Sequence, residues 1–296
     1  MAKIGLVTVL YKSDEVLEGF LRTVSYQDHK DYVLYLVDNS ASEKTTALLN
    51  SLILKYPVTS YRHIDSGGNI GVAAGNNLGI KAALADNCTD IILLNNDIEI
   101  EQQYVFSKML SVSNEMKEPI VVPKILYCDN RKVWMAGGNM DNIRALGIHY
   151  HGDDENDVQF SKAKHITYAP TCFMLIKAEV FENIGTMDEK YFAYYDDTDF
   201  VYRACNYGYK MYYEPSLTIL HKVSSSSGGD NSLFYIYYGN RNKIYFIRKN
   251  YSGLRKWFAL FYTLVSRGVF YLKFDKERKL KLLQAVKDGF KIPVDN

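Results

Sequence analysis

No two cysteines stand close enough to form a CxxC pair: Cys88, Cys128, Cys172 and Cys205 are scattered singly along the chain. That spacing excludes a zinc ribbon and a disulfide framework, and it fits reduced thiols in a cytosolic protein. A leader is not expected from the opening residues either. "MAKIGLVTVLY" runs directly into a strand-like stretch, with no charged segment, apolar core and small-residue cleavage site, so nothing in it directs secretion. The uncharged run at 257 to 266 ends at Arg267, short of the roughly 20 apolar residues that a spanning helix needs. A G-x-G-x-x-G fingerprint is absent, which weakens a dinucleotide-binding dehydrogenase reading. There is no internal repeat.

What the chain does have is length, apolar content and a lopsided charge. Its 296 residues, 47% of them hydrophobic, can build the core of one large α/β domain with an appendage. The net charge of +1 hides 14 Lys or Arg against 4 Asp or Glu in residues 241 to 296, and 21 against 30 in residues 1 to 240. Such asymmetry points to a partner rather than to a fold. The acidic remainder argues against nucleic acid as that partner.

The first 125 residues alternate short apolar runs with helical patterns. "KIGLVTVLY" (3 to 11), "YVLYLVDN" (32 to 39), "VTSYRHI" (58 to 64) and "DIILLNND" (90 to 97) are predicted strands, rich in Val, Ile, Leu and Tyr. Residues 14 to 27, 43 to 55 and 72 to 86 are predicted helices. This order implies a mostly parallel sheet with helices on both faces and ligands outside the carboxyl ends of its strands. Residues 119 to 175, with Gly137-Gly138, Gly147 and Gly152, read as loops and short strands. From 179 to 221 a helix-loop-helix-strand order returns. The Ser224 to Gly229 tract is flexible by composition, and 231 to 291 reads as helical with breaks near Gly253 and Phe274.

Several side chains fall at the expected ligand edge. Asp38 ends the second strand, where a carboxylate can accept from a ribose hydroxyl or a base N–H; an Asx turn through Asp38-Asn39-Ser40 explains it equally. In "GGNIGVAAGNNLGI" (67 to 80), Asn69 is placed as a helix cap whose free N–H groups can face a phosphate or sugar. Gly71, Gly75 and Gly79 share one face, which also permits close packing. Asp97, with Asn95 two residues before it, offers oxygen ligands for Mg²⁺ or Mn²⁺ bridging to a diphosphate, the alternative being a plain turn. Asp196, Asp197 and Asp199 fall at the start of a helix, where the macrodipole favours acids. Flanked by Tyr194, Tyr195 and Phe200, they would be partly desolvated, which raises a carboxylate's pKa and suits a base that removes a hydroxyl proton. His221 ends the run "SLTIL" at the same edge and can supply a neutral nitrogen to a metal.

Taken in order, "VTVLYKSDEVLEGFLRTV", "LVDNS", "NIGVAAGNNLGI", "LLNNDIEI", "YFAYYDDTDFVYRACNYGYKMYYEP" and "LHKVSSSSGG" resemble the family 2 inverting glycosyltransferases. The nearest branch is the one with bacterial rhamnosyl- and galactofuranosyltransferases. The resemblance runs from about residue 3 to about residue 250, and the ordered set is far more specific than any single motif. It implies an α/β GT-A fold, Rossmann-like, over residues 1–230: a nucleotide-binding half (1–125) and an acceptor-binding half (126–230). Residues 231–296 would follow as a basic, amphipathic helical appendage.

The same resemblance carries roles onto residues. Asp38 matches the aspartate that contacts the nucleoside. Asp97 matches the last position of a DXD-type metal motif whose first aspartate is here Asn95, and His221 matches the histidine that completes the Mn²⁺ or Mg²⁺ site. The family's catalytic pair is usually Glu-Asp; here it is Asp196-Asp197, with Asp197 as base and Asp199 structural. Asn69, Gly71, Asn76 and Asn96 are expected at the nucleotide-sugar site. Arg241, in "YYGNRNKIYF", is expected to reach the diphosphate or to sit on a helix surface. Trp134, Gly137 and Thr171, in "WMAGGNMD" and "APTCFML", are expected beside the acceptor, with Trp134 either stacked on a sugar or packed in the core.

The implied reaction moves a sugar from a nucleotide-sugar donor, dTDP-rhamnose or a UDP-sugar, to a hydroxyl of a cell-surface polysaccharide or lipid-linked oligosaccharide. Two rivals are weaker. A nucleotidyltransferase would carry a Gly-rich, Arg/Lys-containing loop after the first strand, which "VTVLYKSDE" lacks, and a noncatalytic nucleotide- or glycan-binding relative would lose the base.

The segment "RKWFALFYTLVSRGVFYLK" (255 to 273) reads as an interfacial helix. Trp257, Phe258, Phe261 and Tyr262 would insert at the boundary of an anionic membrane surface that attracts Lys273, Lys276, Arg278, Lys279 and Lys281. The alternative is a helical hairpin packed on its own domain or on a second subunit of a homodimer. The expected place is cytoplasmic, peripheral on the inner face of the cell membrane.

Overall fold

A computed structural model describes residues 2–40, 42–222 and 232–294; the serine-glycine tract expected to be flexible lies outside them. The alternation is present: β1 (Ile4–Leu10), α1 (Asp14–Ser25), β2 (Tyr32–Asp38), α2 (Glu43–Lys55), β3 (Tyr61–Asp65), α3 (Val72–Ala85) and β4 (Asp90–Leu94). After it come β5 (Ile98–Ile100), α4 (Val105–Met116), β6 (Ile120–Tyr127), β7 (Val133–Met135), β8 (Gly138–Asp141), β9 (Leu146–His149), β10 (Lys164–Ile166) and β11 (Phe173–Lys177). The described chain ends with α5 (Ala178–Ile184), α6 (Asp196–Tyr207), β12 (Met211–His221), α7 (Leu233–Asn250), α8 (Gly253–Lys273) and α9 (Lys276–Lys291).

Every residue of β2 and β4 is buried, as expected of strands covered on both faces. The main sheet runs in the order β10-β12-β6-β11-β4-β1-β2-β3. β1 is parallel to β2 and β4, β2 to β3, and β12 to β6; β11 runs against both its neighbours. The carboxyl ends of β1, β2 and β4 therefore open on one edge. Glycines let α3 lie on this sheet: a Cβ at Gly79 would come within 2.4 Å of Val7, and one at Gly75 within 2.9 Å of Val9.

Three local features differ from the sequence reading. β4 stops at Leu94 instead of reaching Asp97. Asn95, Asn96 and Asp97 are turn formers, and the three residues after them leave to pair antiparallel with β12, Ile98 opposite His221. Second, α3 begins at Val72 behind Gly71, whose φ of 89° suits glycine; Asn69 is not the cap, and its Oδ1 instead accepts the Gly71 N–H at 3.1 Å. Third, β6 is a full strand despite Pro123. Proline has no N–H for a ladder, and the facing strand shifts register between Glu214 and Thr218, opposite Pro123 and Lys124.

A second core joins the C-terminal helices to the body. Ile244, Tyr245, Phe246 and Ile247 of α7 pack with Tyr191, Tyr195 and Tyr202. α8 is barer: of its 21 residues only Ala259, Leu260 and Thr263 are buried. No described helix is long and apolar enough to cross a membrane.

Candidate functional site

A cleft of about 560 Å³ lies at the ends of β1 and β2, lined by Tyr11, Lys12, Asn39, Ser40 and Asn69 among others. At its margin Asp38 is buried, with Oδ1 accepting the Ser40 N–H at 2.7 Å, so the Asx turn is formed. Its Oδ2 lies 3.6 Å from Nε2 of His63. Asn39 donates to the Gly71 carbonyl at 3.0 Å, which fastens the start of α3 to this edge. The Asn76 amide turns instead to the sulfur of Met187 at 3.6 Å, a partner on the chain leading to α6.

The turn after β4 forms the next wall. Asn96 donates to the Val9 carbonyl and to Ser13 Oγ, at 2.9 and 2.8 Å, which holds the turn against the end of β1. Pairing of β5 with β12 then sets Asp97 Oδ1 3.2 Å from His221 Nε2. Asn95 is exposed at the same turn, and its N–H donates to the Cys172 carbonyl at 2.9 Å, next to Thr171. Among the described residues no three His, Cys, Asp or Glu side chains gather as a closed cage. His221 Nδ1 is buried without a hydrogen-bond partner among them. One carboxylate, one imidazole and an open side fit a hard cation that completes its shell with the phosphates of a bound ligand. Asp97 and His221 would hold such an ion, with Asn95 in reach of the same turn.

The acidic pair is carried by the start of α6. Tyr194 and Tyr195 both have left-handed backbones, φ 64° and 69°, a conformation that costs about 1–3 kcal/mol per non-glycine residue and collects at functional sites. It is held from α7: the fully buried Asn242 donates to the carbonyls of Ala193 and Tyr194 at 2.7 and 2.8 Å. α6 starts directly after, so Asp196 and Asp197 project from its first turn. Asp197 Oδ2 accepts from Tyr168 at 3.0 Å, and Oδ1 from the N–H and hydroxyl of Thr198 at 2.5 and 3.1 Å. Burial pushes both carboxyls above their ordinary range, and the charge of Asp197 adds to the effect on Asp196. Burial pushes the Cys172 thiol up, and the charges of Asp97 and Asp197 add to the effect. The segment from Tyr168 to Cys172 thus touches both the turn and the acidic pair, Tyr168 through Asp197 and the Cys172 carbonyl through the Asn95 N–H.

Asn242 gives a prediction here. Its loss takes a donor from two part-buried carbonyls, at up to about 1–3 kcal/mol for each such group, and frees the strained loop. In Asn242→Ala, kcat should fall while the donor dissociation constant holds; equal loss in both would show a merely structural role.

The remaining expected site residues are placed as follows. The Trp134 ring lies over His149 at 4.9 Å and meets His221 edge-on at 4.7 Å, so one of its faces is already covered inside the protein. Gly137 turns the chain between β7 and β8 with φ 76°. Arg241 donates to the Lys190 carbonyl at 2.7 Å and to Asn242 at 2.7 Å, and its guanidinium lies over Tyr238 at 4.9 Å. One of its nitrogens is therefore committed to the chain before α6 and another to its own helix. Asp199 is fully buried and paired with Arg203 and Lys249, both within 2.9 Å. Tyr168, Thr198 and Asn242 were not anticipated; their roles come from contacts that no local pattern marks, except Thr198, which adjoins the acidic pair.

The model of a family described as glycosyl transferase family 2 matches residues 6–185. The low-salt glycan biosynthesis hexosyltransferase Agl10 of Haloferax volcanii is 28% identical over 205 residues, covering 68% of this chain and 61% of that protein. The chain therefore spans about three-fifths of that relative. An N-acetylglucosaminyl-diphospho-decaprenol L-rhamnosyltransferase of Mycobacterium tuberculosis is 22% identical over 308 residues, covering 94% of this chain and 97% of that one. Among solved structures, the mannosyltransferase PcManGT of Pyrobaculum calidifontis, in complex with GDP-Man and Mn²⁺, is 10% identical. It superposes with a TM-score of 0.59 over 98% of this chain and 86% of its own. The fold is GT-A, a mixed α/β sheet followed by C-terminal helices.

Proposed function

Because this chain belongs to glycosyl transferase family 2, we propose that it transfers a sugar, with inversion, from a nucleoside diphosphate sugar to a hydroxyl of a lipid-linked oligosaccharide or growing cell-surface polysaccharide. The observation that carries this reading is the Asp197 carboxylate held by Tyr168 and Thr198, with the turn of Asp97 and His221 bonded to the same segment through Asn95 and Cys172. dTDP-rhamnose or a UDP-sugar is the donor. The nucleoside sits at the ends of β1 and β2 beside Asp38, Asn69 and Gly71, and Asn96 shapes the turn that receives the diphosphate. Arg241 and Asn76 act through the loop before α6 rather than on the donor itself. Thr171, Gly137 and Trp134 border the acceptor.

The chemistry needs a base on the acceptor side and positive charge on the donor side. Asp197 accepts the proton of the acceptor hydroxyl, whose oxygen attacks the anomeric carbon in line with the departing diphosphate. Burial keeps Asp197 basic enough for this, and the two Thr198 donors and Tyr168 fix which oxygen lone pairs face the acceptor. Asp97 and His221, with Asn95, would hold a Mn²⁺ or Mg²⁺ ion, which would offset the charge that develops on the leaving diphosphate.

The test is binding and slow hydrolysis of a panel of nucleotide sugars, including UDP- and dTDP-linked ones, with Mn²⁺, with Mg²⁺ and with chelator. One donor should bind with metal and lose most of its affinity with chelator. Binding of none under any condition would favour a noncatalytic relative, and nucleotide incorporation into a sugar phosphate a nucleotidyltransferase.

α8 supports a peripheral membrane location. Leu254, Trp257, Phe258, Phe261, Val265, Val269 and Leu272 recur at helical spacing and are all exposed, Trp257 at 68% and Phe261 at 67%. The helix carries Arg255, Lys256, Arg267 and Lys273 and no acid, so self-association through it would bring like charges together, whereas an anionic leaflet complements them. The protein should float with phosphatidylcholine vesicles containing phosphatidylglycerol at low salt, and Trp257→Ser with Phe261→Ser should abolish flotation. Equal binding to neutral vesicles, or a stable homodimer that buries α8, would contradict this.

A further inference from the structure

Trp134 sits at an irregularity in the main sheet. β7 pairs with β6 so that Met135 lies opposite Ile125 and Val133 opposite Leu126, which leaves Trp134 as the extra residue of a β-bulge. Bulges collect beside active sites because they re-aim a side chain. Here the side chain is aimed across β6, which lies between β7 and β12. It meets the ring of His221 with centroids 4.7 Å apart and planes nearly perpendicular, at 82°.

The indole is itself fixed from behind. His149 of β9 lies against it, with centroids 4.9 Å apart and planes 34° from parallel. Backbone bonds on either side of Trp134 hold the two rings together. Val133 donates to the Gly152 carbonyl at 2.8 Å and accepts the Gly152 N–H at 3.1 Å, and the Ala136 N–H donates to the Tyr150 carbonyl at 2.9 Å.

This support falls where His221 lacks the usual one. A histidine that binds a metal ordinarily has its ring set by a hydrogen bond at its other nitrogen. His221 is buried and has Nε2 3.2 Å from Asp97 Oδ1, while its Nδ1 is buried without a hydrogen-bond partner among the described residues. Edge-on packing of two rings favours one relative orientation, and Trp134 supplies it to this imidazole.

We infer that Trp134, backed by His149, is a positioning residue for the divalent cation: it sets the rotation of the His221 ring so that Nε2 is presented beside Asp97. The inference rests on the metal-assisted transferase reading above and deepens it, adding to the residues that would hold the ion the pair that orients one of them. It is separate from any contact of Trp134 with the acceptor.

Mn²⁺ serves as the probe, titrated into the full chain at a fixed excess of UDP or dTDP, with free Mn²⁺ read from its electron paramagnetic resonance signal. Trp134→Ala should weaken Mn²⁺ binding by roughly tenfold, as loss of an outer partner does at a metal site, while nucleotide affinity in chelator stays at the parent value. Trp134→Phe, which keeps a flat ring, should recover most of the loss, and His149→Ala should weaken Mn²⁺ by a smaller factor. Fluorescence gives a second readout. The chain has two tryptophans, so the emission of Trp257→Phe is that of Trp134 alone, and paramagnetic Mn²⁺ should quench it where Mg²⁺ does not. Parent-like Mn²⁺ affinity in Trp134→Ala would overturn the inference alone, as would an equal fall of nucleotide affinity in chelator, which marks general damage. Should Trp134→Ala not fold, parent-like Mn²⁺ affinity in His149→Ala would overturn it in the same way. A parent chain that binds nucleotide but no Mn²⁺ would instead strike the metal-assisted reading, and this inference with it.

Discussion

Replacing Asp197 by asparagine should lower transfer by a factor on the order of 10² to 10⁴, the usual worth of a positioned base, while the donor still binds with its metal. The substitution keeps the shape of the side chain and an oxygen for the Thr198 donors, and its amide N–H can donate to the Tyr168 hydroxyl oxygen in place of the bond now received, so the loss reports proton acceptance rather than collapse. The pH dependence has a definite sign. The ionised carboxylate is the active form, so activity is present above its pKa and lost as pH falls through it. Burial holds the group above the ordinary carboxylate range, so the loss should begin at a higher pH than for an exposed aspartate. Tyr168→Phe removes a hydrogen bond that lowers this pKa, and its acid limb should move to higher pH still. Near-full activity in Asp197→Asn would remove the residue from the mechanism.

The largest effect on stability is expected at Asp199, two residues further on. It is fully buried and receives Arg203 at 2.8 Å, Lys249 at 2.9 Å, Asn250 at 2.8 Å and the Tyr191 hydroxyl at 3.3 Å. These partners come from α6, from α7 and from the chain between α5 and α6, so one carboxylate ties the C-terminal helices to the catalytic loop. Asp199→Ala leaves two mostly buried cations short of a counter-charge, although Lys249 keeps Asp188 at 2.8 Å and Arg203 keeps two carbonyls. Breaking a buried pair from one side costs about 3–5 kcal/mol, which should lower the melting temperature by roughly 10 °C. Asp199→Asn should cost less. A melt within a degree or two of the parent would show that the network contributes little.

Much of the fold was legible because it is written locally. The helix at 43 to 55 and the breaks near Gly253 and Phe274 are where α2, α7, α8 and α9 begin or end, since periodicity and breakers act within a few residues. What local reading missed depends on distant partners. Ile98–Ile100 leaves the line of β4 because it pairs with Ile219–His221, and that pairing is also what brings Asp97 to His221. Tyr168 finds Asp197 across 29 residues, and Asn242 finds Ala193 across 49. Neither residue type signals a catalytic role by itself. Asn69 was misplaced as a cap because a left-handed Gly71 lets the helix start later without one. The acidic cluster was legible from its aromatic flanks, but which of its members form the pair came only from likeness to a family; burial supplies the physical reason for the raised carboxyls.

The most direct test of the account is the anomeric configuration of the sugar released by slow donor hydrolysis, read by proton NMR before the anomers equilibrate. A single in-line displacement, with water in place of the acceptor and Asp197 as base, gives the inverted anomer first, and Asp197→Asn should slow its appearance. Release of the retained anomer would contradict the account, because it requires a second displacement or attack from the leaving-group face.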